Sequence, residues 1–267
     1  MWLKNKNAIV YGGGGAIGGA VARSFAREGA RVFLAGRTLA KLKSVAKDIS
    51  AAGGVAETAT LNALDEQAVN EHADAVATNA GRIDIALNAV GILHVQGTPF
   101  AELSLRDYAY PIVAYTQTNF LTAKAVARHM VKQRSGVILT LSTPGSRMAG
   151  QGWIGYGVTC GAIEAFSRIL AGELGPSGVR VVCLRPDNIP EALATSHSRE
   201  VFEGFAKRYG TTVEAMLAER ARTGTLLGRF PTLAEVADFA AFAASDGAGA
   251  MTGAIANLTC GSVVDQS

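Results

Sequence analysis

Short apolar runs alternate along this chain with stretches whose apolar positions return every three or four residues. Residues 8–11 (Ala-Ile-Val-Tyr) form the first run. A helical stripe of Ile17, Ala20, Val21 and Phe25 follows, and Gly29 supplies a stop. Residues 31–35 read as a second strand, and Leu39, Leu42, Val45 and Ile49 mark a second helix. Further strands are predicted at 55–61, 83–87, 136–141, 179–184 and 253–258, with long helices at 104–133 and 154–174. This order predicts an α/β chain, a doubly wound parallel sheet of about seven strands with helices on both faces.

Residues 188–230 interrupt the rhythm with two predicted helices, near 199–209 and 212–222. Thr211 opens the second, with Glu214 three residues on at capping-box spacing. Ligands of a doubly wound sheet sit outside the carboxyl ends of its strands. A segment following the sixth strand is therefore expected to hang over that crevice as a substrate lid. No linker, repeat or low-complexity stretch divides the chain, so 1–267 is expected to be a single domain.

Composition narrows the class. Apolar residues make up 49% and charged residues 18%, enough for a large core and against disorder. The net charge of +3 comes without a basic block, so nucleic acid is not an expected partner. Cys160, Cys183 and Cys260 are odd in number and lack paired or zinc-type spacing. They imply a reducing, cytoplasmic setting and no metal. The first strand begins within a few residues of Met1 and no apolar run spans a bilayer, so neither a leader nor a membrane is expected.

The candidate chemistry starts where the first strand becomes the first helix. Gly12 to Gly15, followed by Gly18, give a turn through which backbone can approach a pyrophosphate, with a helix N-terminus behind it. At the end of the second strand, where an acid would bond a ribose 2′-hydroxyl, the chain has Arg37. A guanidinium there pairs with a 2′-phosphate and points to NADP(H).

These motifs resemble the short-chain dehydrogenase/reductase family. Gly12 and Gly18 match its Thr-Gly-x-x-x-Gly-x-Gly turn, with Tyr11 for the threonine and Ala16 for the middle glycine. Asn88 and Gly91 match its Asn-Asn-Ala-Gly, and Asn119 its helix asparagine. Towards the C-terminus, Leu227–Arg229, Glu235–Ala237 and Met251–Gly253 follow its pattern too. The resemblance implies a Rossmann-like fold and a homodimer or homotetramer acting on a small-molecule substrate. It extends the cofactor contacts to Gly14, Gly15 and Ile17 in the turn, and to Asn62 and Ala63 after the third strand. Tyr156, Pro186 and Ile189 complete them.

The family's active site reads Tyr-x-x-x-Lys; here the run is Tyr156-Gly157-Val158-Thr159-Cys160. By resemblance Tyr156 is the proton donor and Asn119 the anchor of a water chain. The serine lying thirteen residues before the tyrosine falls on Thr143, with Ser142 as the alternative. Cys160 takes the lysine position and brings no positive charge. An unassisted tyrosine near pKa ~10 is about 0.1% phenolate at neutral pH, which harms alcohol oxidation more than carbonyl reduction. Three readings of Cys160 stand: a packing residue, a nucleophile, or a site in which another cation, Arg185 or Arg147, replaces the lysine. Arg185 could instead pair with Asp187, and Glu191 replaces a threonine expected near the nicotinamide. His94 and, less so, His197 are alternative acids. The function implied is an NADPH-dependent reductase of a C=O or C=N bond. The alternative is an NADP(H)-binding protein without redox turnover, serving regulation or assembly.

Overall fold

The computed structural model describes residues 1–264. Its sheet holds seven strands: β1 (Asn7–Tyr11), β2 (Arg31–Gly36), β3 (Val55–Thr60), β4 (Ile85–Asn88), β5 (Gly136–Leu141), β6 (Val179–Pro186) and β7 (Ala254–Leu258). All pair in parallel in the order 3-2-1-4-5-6-7. The predicted doubly wound sheet is therefore present, with its topological switch between β1 and β4.

Strand alternation decides which helices go where. Ala8 and Val10 of β1 face a core closed by α1 (Ala16–Arg27), α2 (Leu39–Ala51) and α8 (Leu233–Ala244). Ile9 and Tyr11 face the opposite core, closed by α3 (Glu66–Ala80), α4 (Leu105–Gln133) and α5 (Ile154–Leu174). Both faces of the central strands β1, β2, β4, β5 and β6 are covered, which is why they read as nearly continuous apolar runs, while the edge strands β3 and β7 stay partly exposed.

Element ends depart from expectation where a local hydrogen bond or dihedral takes over. The fourth strand begins at Ile85, because the Asp84 carboxylate turns back to accept the Asn7 N–H at 2.9 Å. The last begins at Ala254, since Gly253 has φ 66° and cannot extend it. Residues 188–230 do carry two helices, α6 (Ser198–Arg208) and α7 (Val213–Gly224). The cap of α7 is Thr212 rather than Thr211: its hydroxyl accepts the Ala215 N–H at 3.1 Å, while Glu214 pairs with Arg199. At α8 the box is complete, with Thr232 and Glu235 capping reciprocally and Arg229 holding the same carboxylate.

The turn after β1 is the most constrained part of the backbone. Gly12 has φ 78°, and a Cβ on it would lie 2.3 Å from the Ala89 carbonyl oxygen. Gly53 has a similar φ of 81° but nothing within 4 Å. Gly53→Ala is expected to cost about 1 kcal/mol for the dihedral alone. Gly12→Ala is expected to cost about 3 kcal/mol because the β1–β4 approach must also yield. Denaturant unfolding of the two variants checks the difference, and equal losses would contradict it.

Candidate active site

One cleft of about 480 Å³ opens along the carboxyl ends of β1, β4, β5 and β6, where the chain ends of Tyr11, Asn88, Leu141 and Pro186 meet. The residues assigned to cofactor and catalysis line it, whereas Arg147, Arg185 and Glu191 do not. Gly12, Gly14, Gly15 and Ile17 form one stretch, and Arg37, Asn62 and Ala63 stand beside them. Asn88, Gly91, Asn119, Ser142, Thr143, Tyr156, Pro186 and Ile189 continue to the other end.

The glycine end suits a phosphate-bearing ligand. Gly15 is the N-cap of α1 and offers no side chain, so the first N–H groups of that helix are left open to the cleft. No acidic residue occupies the helix's first turn. At the end of β2, Arg37 is exposed, and Lys41 of α2 lines the same wall. Lys41 was not anticipated, because it reads as part of a wet helix face. Among the described residues lining the cleft, Asp187 is the one acid, and it lies at the far end.

Asn88 works as a brace. Its amide nitrogen donates to Thr122 at 3.0 Å and its oxygen accepts the Val90 N–H at 3.1 Å, fixing the turn that leads to Gly91. A Cβ on Gly91 would lie 2.5 Å from His197, so the 188–230 segment closes directly onto this turn. Two buried amide atoms in the cleft have no partner: the Asn119 oxygen and the Asn188 nitrogen. An acceptor and a donor left open beside Tyr156 and Pro186 fit a carboxamide or an ordered water, as a nicotinamide site requires. These open atoms and the uncapped helix fit a dinucleotide. Asn188 was missed as a contact because no motif marks it.

At the reacting end Tyr156, Cys160 and Glu164 follow at one-turn intervals along α5. The Thr143 hydroxyl lies 3.2 Å from the Cys160 sulfur, and both reach the Tyr156 hydroxyl. Burial, reinforced by Cys160 and Tyr115, holds the Tyr156 phenol well above its ordinary pKa. Burial likewise pushes the Cys160 thiol up to about 11, so it stays protonated at neutral pH and is a poor nucleophile.

Ser142 and Thr143 part company here. The Ser142 hydroxyl turns away to donate to Glu164 at 2.8 Å, while Thr143 faces Tyr156 and Cys160. Ser146 also donates to Glu164, at 2.6 Å. Arg185 binds the same carboxylate through Nε at 2.8 Å and a terminal nitrogen at 3.0 Å. Burial works to raise the Glu164 pKa, but Arg185, Ser146 and Ser142 outweigh it and hold the carboxyl below its ordinary value.

Several expectations are corrected by this geometry. Arg185 does not pair with Asp187; its charge is engaged by Glu164 behind Cys160. Asp187 pairs instead with Arg220 of α7 at 3.0 Å and accepts from Ser262. Arg147 is exposed and does not line the cleft. Glu191 is exposed as well, accepting the Leu233 N–H at 3.0 Å where α8 begins. His94 is buried and stacks on Tyr156, with ring centroids 4.5 Å apart. Both its nitrogens are engaged, by the Ile92 carbonyl and by Gln96, and burial lowers its pKa to about 4. It is a wall of the site and a poor acid.

Comparisons with known proteins agree with this architecture. A family model described as enoyl-(acyl carrier protein) reductase matches residues 14–262. Tropinone reductase-like 2 from Erythroxylum coca is 33% identical over 91% of this chain and 85% of its own length. D-threitol dehydrogenase of Mycolicibacterium smegmatis is 28% identical over 94% and 90%. NAD+-bound xylitol dehydrogenase superposes with a TM-score of 0.89 at 23% identity, covering 98% of this chain and all (100%) of that one. A 7α-hydroxysteroid dehydrogenase complexed with NADH and 7-oxo-glycochenodeoxycholic acid reaches a TM-score of 0.84 at 25% identity, covering 97% and 94%. Such neighbours hold nicotinamide cofactors. With its parallel seven-strand sheet, its glycine turn and its relatives among dehydrogenases and reductases, the chain belongs to the short-chain dehydrogenase/reductase family of oxidoreductases.

Proposed function

We propose that this chain is an NADPH-dependent reductase of a C=O or C=N bond in a small organic substrate, with Cys160 where the family carries lysine. One observation carries the reading. The Tyr156 and Thr143 hydroxyls converge in the same cleft that the open end of α1 lines. Arg37 and Lys41, with no acid near them in that cleft, support the phosphorylated cofactor.

A reduced nicotinamide bound there supplies the hydride. Tyr156 gives its proton to the substrate oxygen, and Thr143 donates a second hydrogen bond to that oxygen. The open oxygen of Asn119 anchors a water from which Tyr156 is reprotonated. Without a neighbouring cation the phenolate left behind is costly, so reduction of an iminium carbon, which yields a neutral amine and needs no enzyme proton, fits the site equally well. Alcohol oxidation requires the phenolate at the start and is disfavoured. The same lack of a cation supports a second reading, a protein that binds NADP(H) without turnover.

The 188–230 segment serves as the substrate lid of a single domain. Leu105, Val113 and Phe120 of α4 and Val158 and Ile169 of α5 are exposed on helices that pack together. Such a face supports a homodimer or homotetramer. No described helix is long and apolar enough to cross a membrane, and no described cluster of His, Cys, Asp and Glu could hold a metal.

NADPH is expected to bind at least tenfold more tightly than NADH in a fluorescence titration, with Arg37→Ala removing most of that preference. Equal affinities in the parent chain would refute the cofactor assignment. Against a panel of ketones, quinones, enones and cyclic imines, Tyr156→Phe is expected to lose at least a hundredfold in kcat on carbonyl substrates. Carbonyl turnover untouched by that change would remove Tyr156 as donor. Tight NADPH binding with no turnover on any substrate would favour the second reading.

A further inference from the structure

The substrate end of the cleft is built from rings whose polar atoms are already used. The His94 Nδ1 lies 2.8 Å from the Ile92 carbonyl oxygen, which can only accept, so the proton sits on Nδ1. Nε2 is then the acceptor, and the Gln96 amide donates to it at 2.8 Å. The Tyr115 hydroxyl donates to the same Ile92 carbonyl at 3.2 Å and accepts the Ile92 N–H at 3.1 Å. What these residues offer a ligand is ring surface. His94 lies parallel to Tyr156, and Tyr115 meets both edge-on at 6.0 and 6.1 Å. Trp153, Met148 and Phe202 extend the same apolar wall.

Among the described residues at that end, charge is paired in the same way. Arg220 reaches the cleft but spends its guanidinium on Asp187, at 3.0 and 3.1 Å, and lies over the Phe230 ring. Burial keeps His94 and His197 below their ordinary pKa, so both are neutral at pH 7. Cys160 is a neutral thiol. At the reacting point the pair of hydroxyls on Tyr156 and Thr143 can serve one carbonyl oxygen.

Resting on the reductase reading, we infer that the substrate is an uncharged carbonyl compound with a flat apolar body, an aryl or fused-ring ketone, and not a polyol, a sugar or a keto acid. A polyol entering this pocket gives up water at each hydroxyl and finds His94, Gln96, Tyr115 and Arg220 already engaged, at about 1–3 kcal/mol for each group left unmatched. Among the described residues at this end a carboxylate finds no free cation, and it must break the Arg220–Asp187 pair to gain one. A planar ring system loses little and packs along the apolar wall that Trp153, Met148 and Phe202 extend.

The test is calorimetric titration of the parent chain, with and without NADP+, using 1-tetralone, dihydroxyacetone, D-threitol and levulinate, alongside turnover with NADPH or NADP+. The expected result is a Kd for 1-tetralone at least tenfold below that of each other probe. A polyol or keto acid binding as tightly as 1-tetralone overturns the inference, and so does failure of every probe to bind. The two layers separate cleanly. Turnover confined to dihydroxyacetone with NADPH leaves the reductase standing and removes the aromatic substrate, whereas oxidation of D-threitol with NADP+ removes both. Tight 1-tetralone binding without reduction keeps the pocket assignment and removes the reductase.

Discussion

The buried pair of Glu164 and Arg185 is the contact on which the reacting end of this molecule depends. It joins α5 to β6, and through Ser142 and Ser146 it also fixes the turn that leaves β5. Both side chains are almost wholly buried, with 6% and 3% of their surface exposed, so neither charge has water to fall back on. Removing Arg185 would leave the buried Glu164 carboxylate without its ion-pair partner, at about 3–5 kcal/mol. The serines matter for the same reason, since each hydrogen bond to the carboxylate offsets part of its desolvation. Thr143, next to Ser142, is aimed at Tyr156 because its neighbour is held the other way.

This pairing also sets the electrostatics of the cleft. Arg185 sits close enough in sequence and fold to look like a cation for Tyr156, yet its charge is paired with Glu164 one turn behind Cys160. Arg220, from the opposite side, is cancelled by Asp187. Tyr156 is thus left among neutral groups, and desolvation acts on it without opposition from a cation. A phenol in that setting is a better acid-form donor than a base. The same desolvation makes the phenol a weaker acid, so the proposed reduction is slowed while oxidation, which needs the phenolate, is suppressed.

Much of the fold was legible because strand and helix periods are written locally: the strand-length runs, the stripe on α1 and the long helices at 105–133 and 154–174 match closely. The site residues were legible because a glycine turn and the ends of parallel strands converge by topology alone. What the sequence hid were partners chosen across the fold. Arg185 and Asp187 stand two apart, yet they bind Glu164 on α5 and Arg220 on α7, and no spacing announces either. The choice between Ser142 and Thr143 turned on the same hidden carboxylate. His94 read as an alternative acid because the Ile92 carbonyl and Gln96 that engage its ring are set by loop geometry. Thr211 lost the cap to Thr212 by a one-residue shift, the scale at which helix ends are least determined by local sequence.

The central claim is that no cation assists Tyr156. An ultraviolet phenolate titration of the parent chain, differenced against Tyr156→Phe, reads this directly, and Cys160→Lys supplies the contrast. Tyr156 is expected to stay protonated beyond pH ~10, with ionisation moving down by at least one unit when an ammonium is placed at position 160. A Tyr156 phenolate appearing near neutral pH in the parent chain would contradict the account.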